Sequence, residues 1–273
     1  MELEALRVAA VQLQSQDDVE QNLGTCRKLV AEAAECGAKL VVLPENFAYF
    51  GADDTKHRIA EQLGDRAGKI QSALAEMAER AGVFLVAGGF PEASSERARP
   101  FNSALVFGPS GELLTAYRKI HLFDVALQDG TNLSESAGTT PGSELVTFEI
   151  GRFRVGLSIC YDLRFPELYR KLVERGANVL LVPAAFTLHT GKDHWHALLR
   201  ARAIESQSFV IAAAQWGKHP RGRTTYGHSL VVDPWGTIIA EASDQIGVVS
   251  ATLDLTYLEQ VRAAVPCLNH RRI

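Results

Sequence analysis

One sequence pattern occurs twice in the chain and constrains its fold more than any other feature. Gly37–Phe47 reads GAKLVVLPENF and Gly176–Phe186 reads GANVLLVPAAF. In each run, an uncharged aliphatic stretch lies between a glycine and a proline, which is typical of a strand buried on both faces. The chain is therefore predicted to contain two similar halves. Two shorter echoes keep the same order: Arg7-Val8 with Arg154-Val155, and Pro109–Gly111 with Pro234–Gly236.

The first half alternates predicted strands and helices, which implies a parallel sheet covered by helices. Because the second half repeats this plan, we predict an α/β fold, a four-layer αββα sandwich with two pseudo-symmetric halves, forming one domain over residues 1–273. The predicted elements are the strands Leu6–Leu13, Lys39–Leu43 and Val83–Phe90, the helices Asp17–Cys36 and Ala67–Ala81, and a hairpin of Asn102–Phe107 with Glu112–Arg118.

Composition excludes several classes of partner. The chain of 273 residues is 47% hydrophobic and 22% charged, and its net charge of −4 gives no basic surface for nucleic acid or an anionic membrane. The acidic N-terminus and the lack of an apolar run near the roughly 20 residues that cross a bilayer predict neither a secretory signal nor a membrane partner. Four cysteines without a C-x-x-C pair are too sparse for a disulfide framework, so we expect a cytoplasmic protein.

The stretch Phe153–Pro166, FRVGLSICYDLRFP, is predicted to deliver a cysteine into a tight turn. The apolar run before Cys160 suits a buried strand, and Asp162 is predicted to be the N-cap of a helix that ends before Gly176. A strand, sharp turn and helix expose the turn residue and direct backbone N–H groups toward one point. Cys160 is thus either a nucleophile or a small buried hydrophobic residue.

The repeat also singles out Glu45 and Cys160. Glu45 stands where the second copy has Ala184, and Cys160 stands where the first copy has Leu13. A polar or reactive residue thus replaces an apolar one at one strand end in each half. Ligands of parallel sheets gather at the carboxyl ends of the strands, so both residues are site candidates.

A cysteine nucleophile needs a proton acceptor, because the thiolate is the attacking species. Glu45, enclosed by aromatic residues, is the candidate base, and desolvation is expected to raise its pKa. Lys119 is the candidate that stabilises the thiolate and the oxyanion formed on attack. Taken singly, Glu45 also fits an exposed loop residue or helix cap, and Lys119 a solvated lysine at a strand end.

Three motifs together resemble those of the nitrilase superfamily, the carbon–nitrogen hydrolases. They are Glu45 in LPENF, Lys119 in YRKIHLF and Cys160 in SICYDLRFPEL, and the resemblance covers essentially the whole chain. It implies a Glu-Lys-Cys triad, the αββα layering, a homodimer or dimer-based oligomer, and no metal or organic cofactor. The family's second glutamate would be Glu135, for which a flexible loop residue is the alternative.

The resemblance implies a thioester mechanism on an amide. Glu45 takes the proton of Cys160, the thiolate adds to the amide carbon, and Lys119 with the Tyr161 backbone N–H holds the oxyanion. Glu45 then protonates the departing amine or ammonia and activates the water that hydrolyses the thioester. The product is a carboxylic acid.

A small amide carrying a carboxylate is the expected substrate and partner. The runs His194–Glu205 and Tyr226–Gly236 are similar to the branch of the deaminated glutathione amidases and the ω-amidases, and we expect deaminated glutathione, with α-ketoglutaramate or a broader range of aliphatic amides and nitriles as alternatives. The basic loop Lys218–Arg223 is expected to be a solvated loop or dimer contact, or else to receive the far carboxylate of a longer substrate. The predicted substrate-binding residues are Tyr49, Tyr161, Arg164 (a carboxylate partner), Phe186 and Thr187.

Three other interpretations compete. A papain-like hydrolase would take His121 or His194 as its base. A metal site drawn from His189, His194 and His196 is disfavoured, because His194 and His196 lie about 200° apart on a helix. A non-catalytic scaffold would form no acyl adduct on Cys160.

Overall fold

The computed structural model describes residues 4–126 and 132–273, and for residues 53 and 54 the backbone alone. The strands are β1 (Ala5–Gln12), β2 (Leu40–Leu43), β3 (Phe84–Glu92), β4 (Phe101–Phe107), β5 (Leu113–Arg118), β6 (Asp124–Ala126), β7 (Asn132–Ser134), β8 (Thr147–Ile150), β9 (Phe153–Leu157), β10 (Val179–Leu181), β11 (Phe209–Ala212), β12 (Trp216–Lys218), β13 (Thr224–Tyr226), β14 (Leu230–Val232), β15 (Ile238–Glu241) and β16 (Gly247–Asp254). The α-helices are α1 (Val19–Glu35), α2 (Lys69–Ala81), α3 (Glu135–Gly138), α4 (Pro166–Glu174), α5 (Leu188–Ser206) and α6 (Leu255–Ala264).

Two six-stranded sheets share one topology. Their strand orders are β16-β1-β2-β3-β4-β5 and β8-β9-β10-β11-β14-β15. In each sheet three parallel strands, β1 to β3 or β9 to β11, have antiparallel neighbours on both sides. The hairpins β4–β5 and β14–β15 occupy matching places. The duplication predicted from the repeated motif is therefore confirmed in the strand order.

The two sheets pack against each other through one face of each. Along β1, Val8 and Ala10 belong to a core shared with the second sheet, whereas Ala9 and Val11 pack with α1 and α2, because successive strand residues point to opposite faces. The other side of the second sheet is covered by α4 and α5. The layers follow the order helix, sheet, sheet, helix, so the predicted α/β sandwich is confirmed.

The final strand of the chain, β16, pairs with the first strand, β1. β16 pairs antiparallel with β1 along its whole length, from Ala5 opposite Asp254 to Gln12 opposite Gly247. The predicted elements of the first half agree closely with the structure, but β16 was not predicted. An edge strand that closes the first sheet therefore comes from the second half of the sequence.

Asp162 is not the N-cap that the sequence predicted. Residues Cys160–Arg164 form a 3₁₀ turn, and α4 begins at Pro166, where a proline is favoured because the first helical N–H needs no partner. The Asp162 carboxylate points toward the preceding strand end and toward Tyr117 instead. It accepts hydrogen bonds from the Ile159 N–H at 2.8 Å and the Tyr117 hydroxyl at 2.7 Å, which fixes the turn that carries Cys160.

The segment from His121 to Gly142 contains the small sheet of β6 and β7 and the short helix α3. Residues 127–131 of that segment lie outside the described ranges. In the part of the chain that the structure describes, the helices are all too short or too polar to cross a bilayer.

Candidate active site

The carboxylate of Glu45, the amine of Lys119 and the thiol of Cys160 lie at one edge of the sandwich. Glu45 follows β2, Lys119 follows β5, and Cys160 follows β9 after two further residues. β2 and β9 belong to different sheets, so packing of the two sheets brings their carboxyl ends together. All three side chains are almost completely buried: Glu45 is 4% exposed, Lys119 2% and Cys160 7%.

Lys119 lies between two carboxylates. Its Nζ is 2.9 Å from Oε1 of Glu45 and 2.8 Å from Oε2 of Glu135. Glu135 is held in place by the Phe123 N–H, which donates to its Oε2 at 2.7 Å. Asn102 donates from Nδ2 to both carboxylates, at 2.9 Å to Glu45 and 3.0 Å to Glu135. Nothing in the sequence pattern indicated Asn102, because a single amide within a strand predicts no particular contact.

Glu45 also contacts the cysteine side of the site. The Cys160 thiol and the Glu45 carboxylate lie close enough for each group to shift the pKa of the other. The other carboxylate oxygen, Oε2, accepts the Ala185 N–H at 3.1 Å, and the Gln215 side chain donates to the Glu45 carbonyl at 2.9 Å. The carboxylate is thereby held between the amine and the thiol.

Burial and charge give the three groups distinct protonation states. Burial acts to raise the pKa of Glu45, but the Lys119 charge and the hydrogen bonds from Lys119, Cys160 and Asn102 outweigh it and lower that pKa. Burial and then the Glu45 charge raise the pKa of the Cys160 thiol well above its ordinary value. Although burial acts to lower the pKa of Lys119, the charges of Glu135 and Glu45 raise it well above the ordinary value. At neutral pH the resting site holds a carboxylate, an ammonium and a neutral thiol.

Glu45 was predicted to have a raised pKa, and this was wrong in sign because its pKa is lowered. Desolvation is the largest single influence on Glu45, as expected. The ammonium of Lys119 lies 2.9 Å from Glu45 and favours the charged carboxylate, and a local sequence pattern does not reveal that distance. A low pKa still suits a base, because the group is ionised when the thiol must lose its proton.

The cysteine occupies a strained backbone position. Its φ is +48°, a left-handed value that is uncommon outside glycine and that often marks a functional turn. The Cys160 N–H donates to the Pro183 carbonyl at 2.9 Å, which ties the turn to the end of β10. The left-handed backbone at Cys160 costs conformational energy, and the fold keeps it because it directs the Cys160 side chain.

Glu45, Lys119, Glu135 and Cys160 all line one cavity of about 650 Å³. Of the predicted substrate-binding residues, Thr187 also lines it. The cavity's described lining does not include the other four. The Tyr49 hydroxyl bonds Thr55, Tyr161 packs edge-on against Phe123, Arg164 lies 3.2 Å from His194, and Phe186 packs on Trp195.

The outer wall of the cavity is basic. Its lining includes Lys56, Lys192, Arg221 and Arg223. The last two come from the Lys218–Arg223 loop, for which the sequence left a solvated loop, a dimer contact and a carboxylate-binding role open. The structure places part of that loop at the cavity, so its charges face the same space as the thiol.

The histidines considered as alternative bases have other partners. His121 Nδ1 lies 2.7 Å from Asp162 Oδ1 with its ring stacked on Phe165, and His194 faces Arg164. Neither belongs to the described lining of the cavity. Among the described residues, the cavity also brings no group of three His, Cys, Asp or Glu ligands close enough to share a metal ion.

Comparisons with known proteins show the family of the chain and its structural relatives. The family model "Carbon-nitrogen hydrolase" matches residues 7–263. A deaminated glutathione amidase from Synechocystis sp. is 45% identical over 266 residues, covering 96% of this chain and 97% of the relative. The crystal structure of Saccharomyces cerevisiae Nit3, a member of branch 10 of the nitrilase superfamily, has a TM-score of 0.90 and 32% identity, covering 100% of this chain and 98% of that one.

A third relative concerns the cysteine. The structure of an amidase from Nesterenkonia sp. shows the Michael addition of acrylamide at its active-site cysteine. It has a TM-score of 0.79 and 27% identity, covering 96% of this chain and 98% of that one.

Proposed function

The chain belongs to the carbon–nitrogen hydrolase family, and we propose that this amidase cleaves deaminated glutathione into 2-oxoglutarate and cysteinylglycine with Cys160 as the nucleophile. One observation carries the proposal. The buried Glu45 carboxylate is hydrogen-bonded to Lys119 and lies beside the Cys160 thiol at the wall of a single cavity.

The first half-reaction forms a thioester. Glu45 accepts the thiol proton of Cys160 as the sulfur attacks the amide carbon, and the carbonyl oxygen becomes an oxyanion. The ammonium of Lys119 and the N–H of Tyr161 stabilise that oxyanion. When the C–N bond breaks, the protonated Glu45 gives its proton to the leaving amine.

The second half-reaction releases the acid. Glu45, again a carboxylate, accepts a proton from water as the water oxygen attacks the thioester carbon. The C–S bond breaks, the thiolate regains the proton from Glu45, and the acid leaves. Glu135 acts as a positioning residue, because its carboxylate holds Lys119 at 2.8 Å and keeps it charged.

Two observations favour deaminated glutathione as the substrate. The outer wall of the cavity is basic, and the Synechocystis relative is a deaminated glutathione amidase. This substrate carries a carboxylate at each end, whereas α-ketoglutaramate carries one. Lys192, Arg221 and Arg223 line the cavity around the thiol and offer cationic partners for a second carboxylate. We place the glycine end of the substrate against these residues.

The test compares kcat/KM for deaminated glutathione and for α-ketoglutaramate. We expect a clear preference for the former, and Cys160→Ala should abolish both activities and the acyl adduct seen by mass spectrometry after brief substrate exposure. A preference for α-ketoglutaramate would make the protein an ω-amidase. Activity retained by Cys160→Ala would rule out the thioester mechanism.

A matched pair of variants tests the basic wall. Arg221→Ala should raise KM for deaminated glutathione by about tenfold, the effect of losing one charge-assisted hydrogen bond, and should change KM for α-ketoglutaramate little. Lys218→Ala removes a charge from the same loop at a residue outside the described lining. Equal effects of the two variants on both substrates would argue against a carboxylate site at Arg221.

We also propose a cytoplasmic homodimer that needs no metal or organic cofactor for the amidase reaction, as the family resemblance implies. The molar mass in solution, measured by light scattering on untagged protein, tests the dimer: a mass near 29.7 kDa would contradict it.

A further inference from the structure

A second cluster of ionisable side chains lies outside the catalytic cavity. His196 comes from α5, His228 from the turn before β14, and Glu241 from the end of β15. One ligand atom from each lies within 4.8 Å of the other two. Oε1 of Glu241 is 2.7 Å from Nε2 of His196 and 2.9 Å from Nδ1 of His228.

The donor set and spacing suit a zinc ion. Two imidazole nitrogens and a carboxylate oxygen are common Zn²⁺ ligands, at about 2.0–2.2 Å from the metal. Two ligands of a tetrahedral site are then about 3.4 Å apart, so an ion would separate the present hydrogen-bonded pairs by only about half an ångström.

The far side of His228 is also organised. Its Nε2 lies 3.4 Å from Oδ1 of Asp244, while its Nδ1 faces Glu241. A carboxylate on the outer nitrogen of a ligating histidine fixes the tautomer and raises the basicity of the ligand. His228 also has a φ of +58°, so the backbone holds this side chain from a strained position.

One residue of the cluster, His228, also lines a cavity. A second cavity, of about 460 Å³, is lined by His228 and Asp244 together with Trp216 and Tyr226. Three protein ligands with an open fourth position normally leave room for a water molecule.

We propose that His196, His228 and Glu241 form a Zn²⁺ site with water as the fourth ligand and Asp244 supporting His228. The three ligands belong to a helix and two segments of the second sheet. Bound zinc would therefore cross-link α5 to the β14–β15 hairpin and stabilise the folded chain.

Cobalt titration of untagged, metal-free protein tests the site. We expect one equivalent of Co²⁺ to bind with visible d–d absorption but no thiolate charge-transfer band, Zn²⁺ to displace it, and Zn²⁺ to raise the melting temperature. Carrying out the titration on Cys160→Ala as well removes the catalytic thiol as a competing ligand. A thiolate band, or no saturable binding of either ion, would overturn the proposal.

Three variants locate the bound ion. Glu241→Gln and His228→Asn, the latter chosen because asparagine tolerates a left-handed backbone, should each weaken Co²⁺ binding at least about tenfold. His194→Ala, which removes an exposed histidine from the same helix, should leave the affinity unchanged. Circular dichroism of the metal-free variants separates loss of binding from loss of folding. Equal affinity in all variants would place the ion elsewhere and refute the site.

Discussion

Glu45 and Cys160 illustrate how burial and charge compete for one proton. Burial disfavours the charged form of either group, and the charge of Glu45 further raises the pKa of the Cys160 thiol. The neighbouring ammonium decides the outcome in favour of the carboxylate. We therefore interpret Glu45 as a base that is ionised before substrate arrives, rather than as an acid with a raised pKa.

This interpretation makes a testable prediction for Glu45→Gln. Removing the carboxylate charge should lower the pKa of the Cys160 thiol, because that charge raises it while Lys119 lowers it. Turnover should nevertheless fall by about 100-fold or more, since no group remains to carry the proton. Ultraviolet titration of the thiolate, with Cys160→Ala subtracted as the control, gives the pKa. An unchanged or higher thiol pKa would contradict the assigned charges.

The same charges predict the acid limb of the pH profile. If Glu45 is the base, as proposed, it must be ionised for turnover. Then kcat/KM should remain flat through neutral pH and fall only as the pH drops below the ordinary range of a glutamate, where Glu45 becomes protonated. An acid limb centred near neutral pH would show that the pKa of Glu45 is raised. It would contradict the assignment of an ionised Glu45 beside a neutral Cys160 thiol.

At the scale of elements, the end of β2 is positioned by a close approach of β3. Gly89 has a φ of +75°, and a Cβ added there would lie 2.2 Å from the backbone nitrogen of Asn46 and 2.9 Å from the Cα of Glu45. Only glycine fits this contact without moving the strand end. The backbone of one strand thus sets the position of the proposed base.

Two glycine substitutions should therefore have opposite effects. Gly89→Ala should destabilise the fold by about 1–3 kcal/mol and reduce kcat by displacing Glu45. Gly24→Ala, at an exposed position of helix α1 with open space around the new methyl group, should stabilise by about 0.5–1 kcal/mol with no change in kcat. Chemical denaturation and steady-state kinetics measure both. A Gly89→Ala protein with normal kcat would show that the approach is not needed to position Glu45.

At the scale of the whole molecule, buried amides join the two halves beside the site. Gln215, fully buried, accepts the Ser15 N–H at 3.0 Å and donates to the Ser15 hydroxyl and the Glu45 carbonyl. Gln12, from the first half, donates to the Ser243 carbonyl at 2.7 Å and accepts the Ser229 N–H. The Gln215 contacts join the two halves next to Glu45, and the Gln12 contacts join them at the end of β1.

Gln215→Leu tests this coupling. It leaves the Ser15 N–H and the Glu45 carbonyl without their buried partner, so the free energy of unfolding should fall by about 2 kcal/mol or more and kcat should fall with it. Gln14→Leu breaks an exposed bond to the Lys218 carbonyl, also between the halves, and should change stability by less than about 0.5 kcal/mol. Equal losses in the two variants would mean that burial of Gln215 has no special importance.

Local patterns predicted the elements well because they depend on residues that are neighbours in sequence. Aliphatic runs such as Leu40–Leu43 form strands buried on both faces, and Gly37 and Pro44 bound them. Asp162 was misassigned because an N-cap pattern does not reveal that Tyr117, distant in sequence, donates a hydrogen bond to the carboxylate. β16 was missed because its partner β1 lies at the other end of the chain.

The sequence by itself determined the duplicated halves, the alternation of strands and helices in the first half and the candidates Glu45, Lys119 and Cys160, because repeats and strand ends can be recognised without coordinates. Glu135 was indicated only by the resemblance to the family. Only the tertiary structure decided the protonation states, the placing of Asn102 and Arg221, and the meeting of His196, His228 and Glu241. Each of those depends on distances between residues far apart in the chain, and a pKa is the small net result of large opposing effects. A local pattern fixes neither the distances nor the sign of that result.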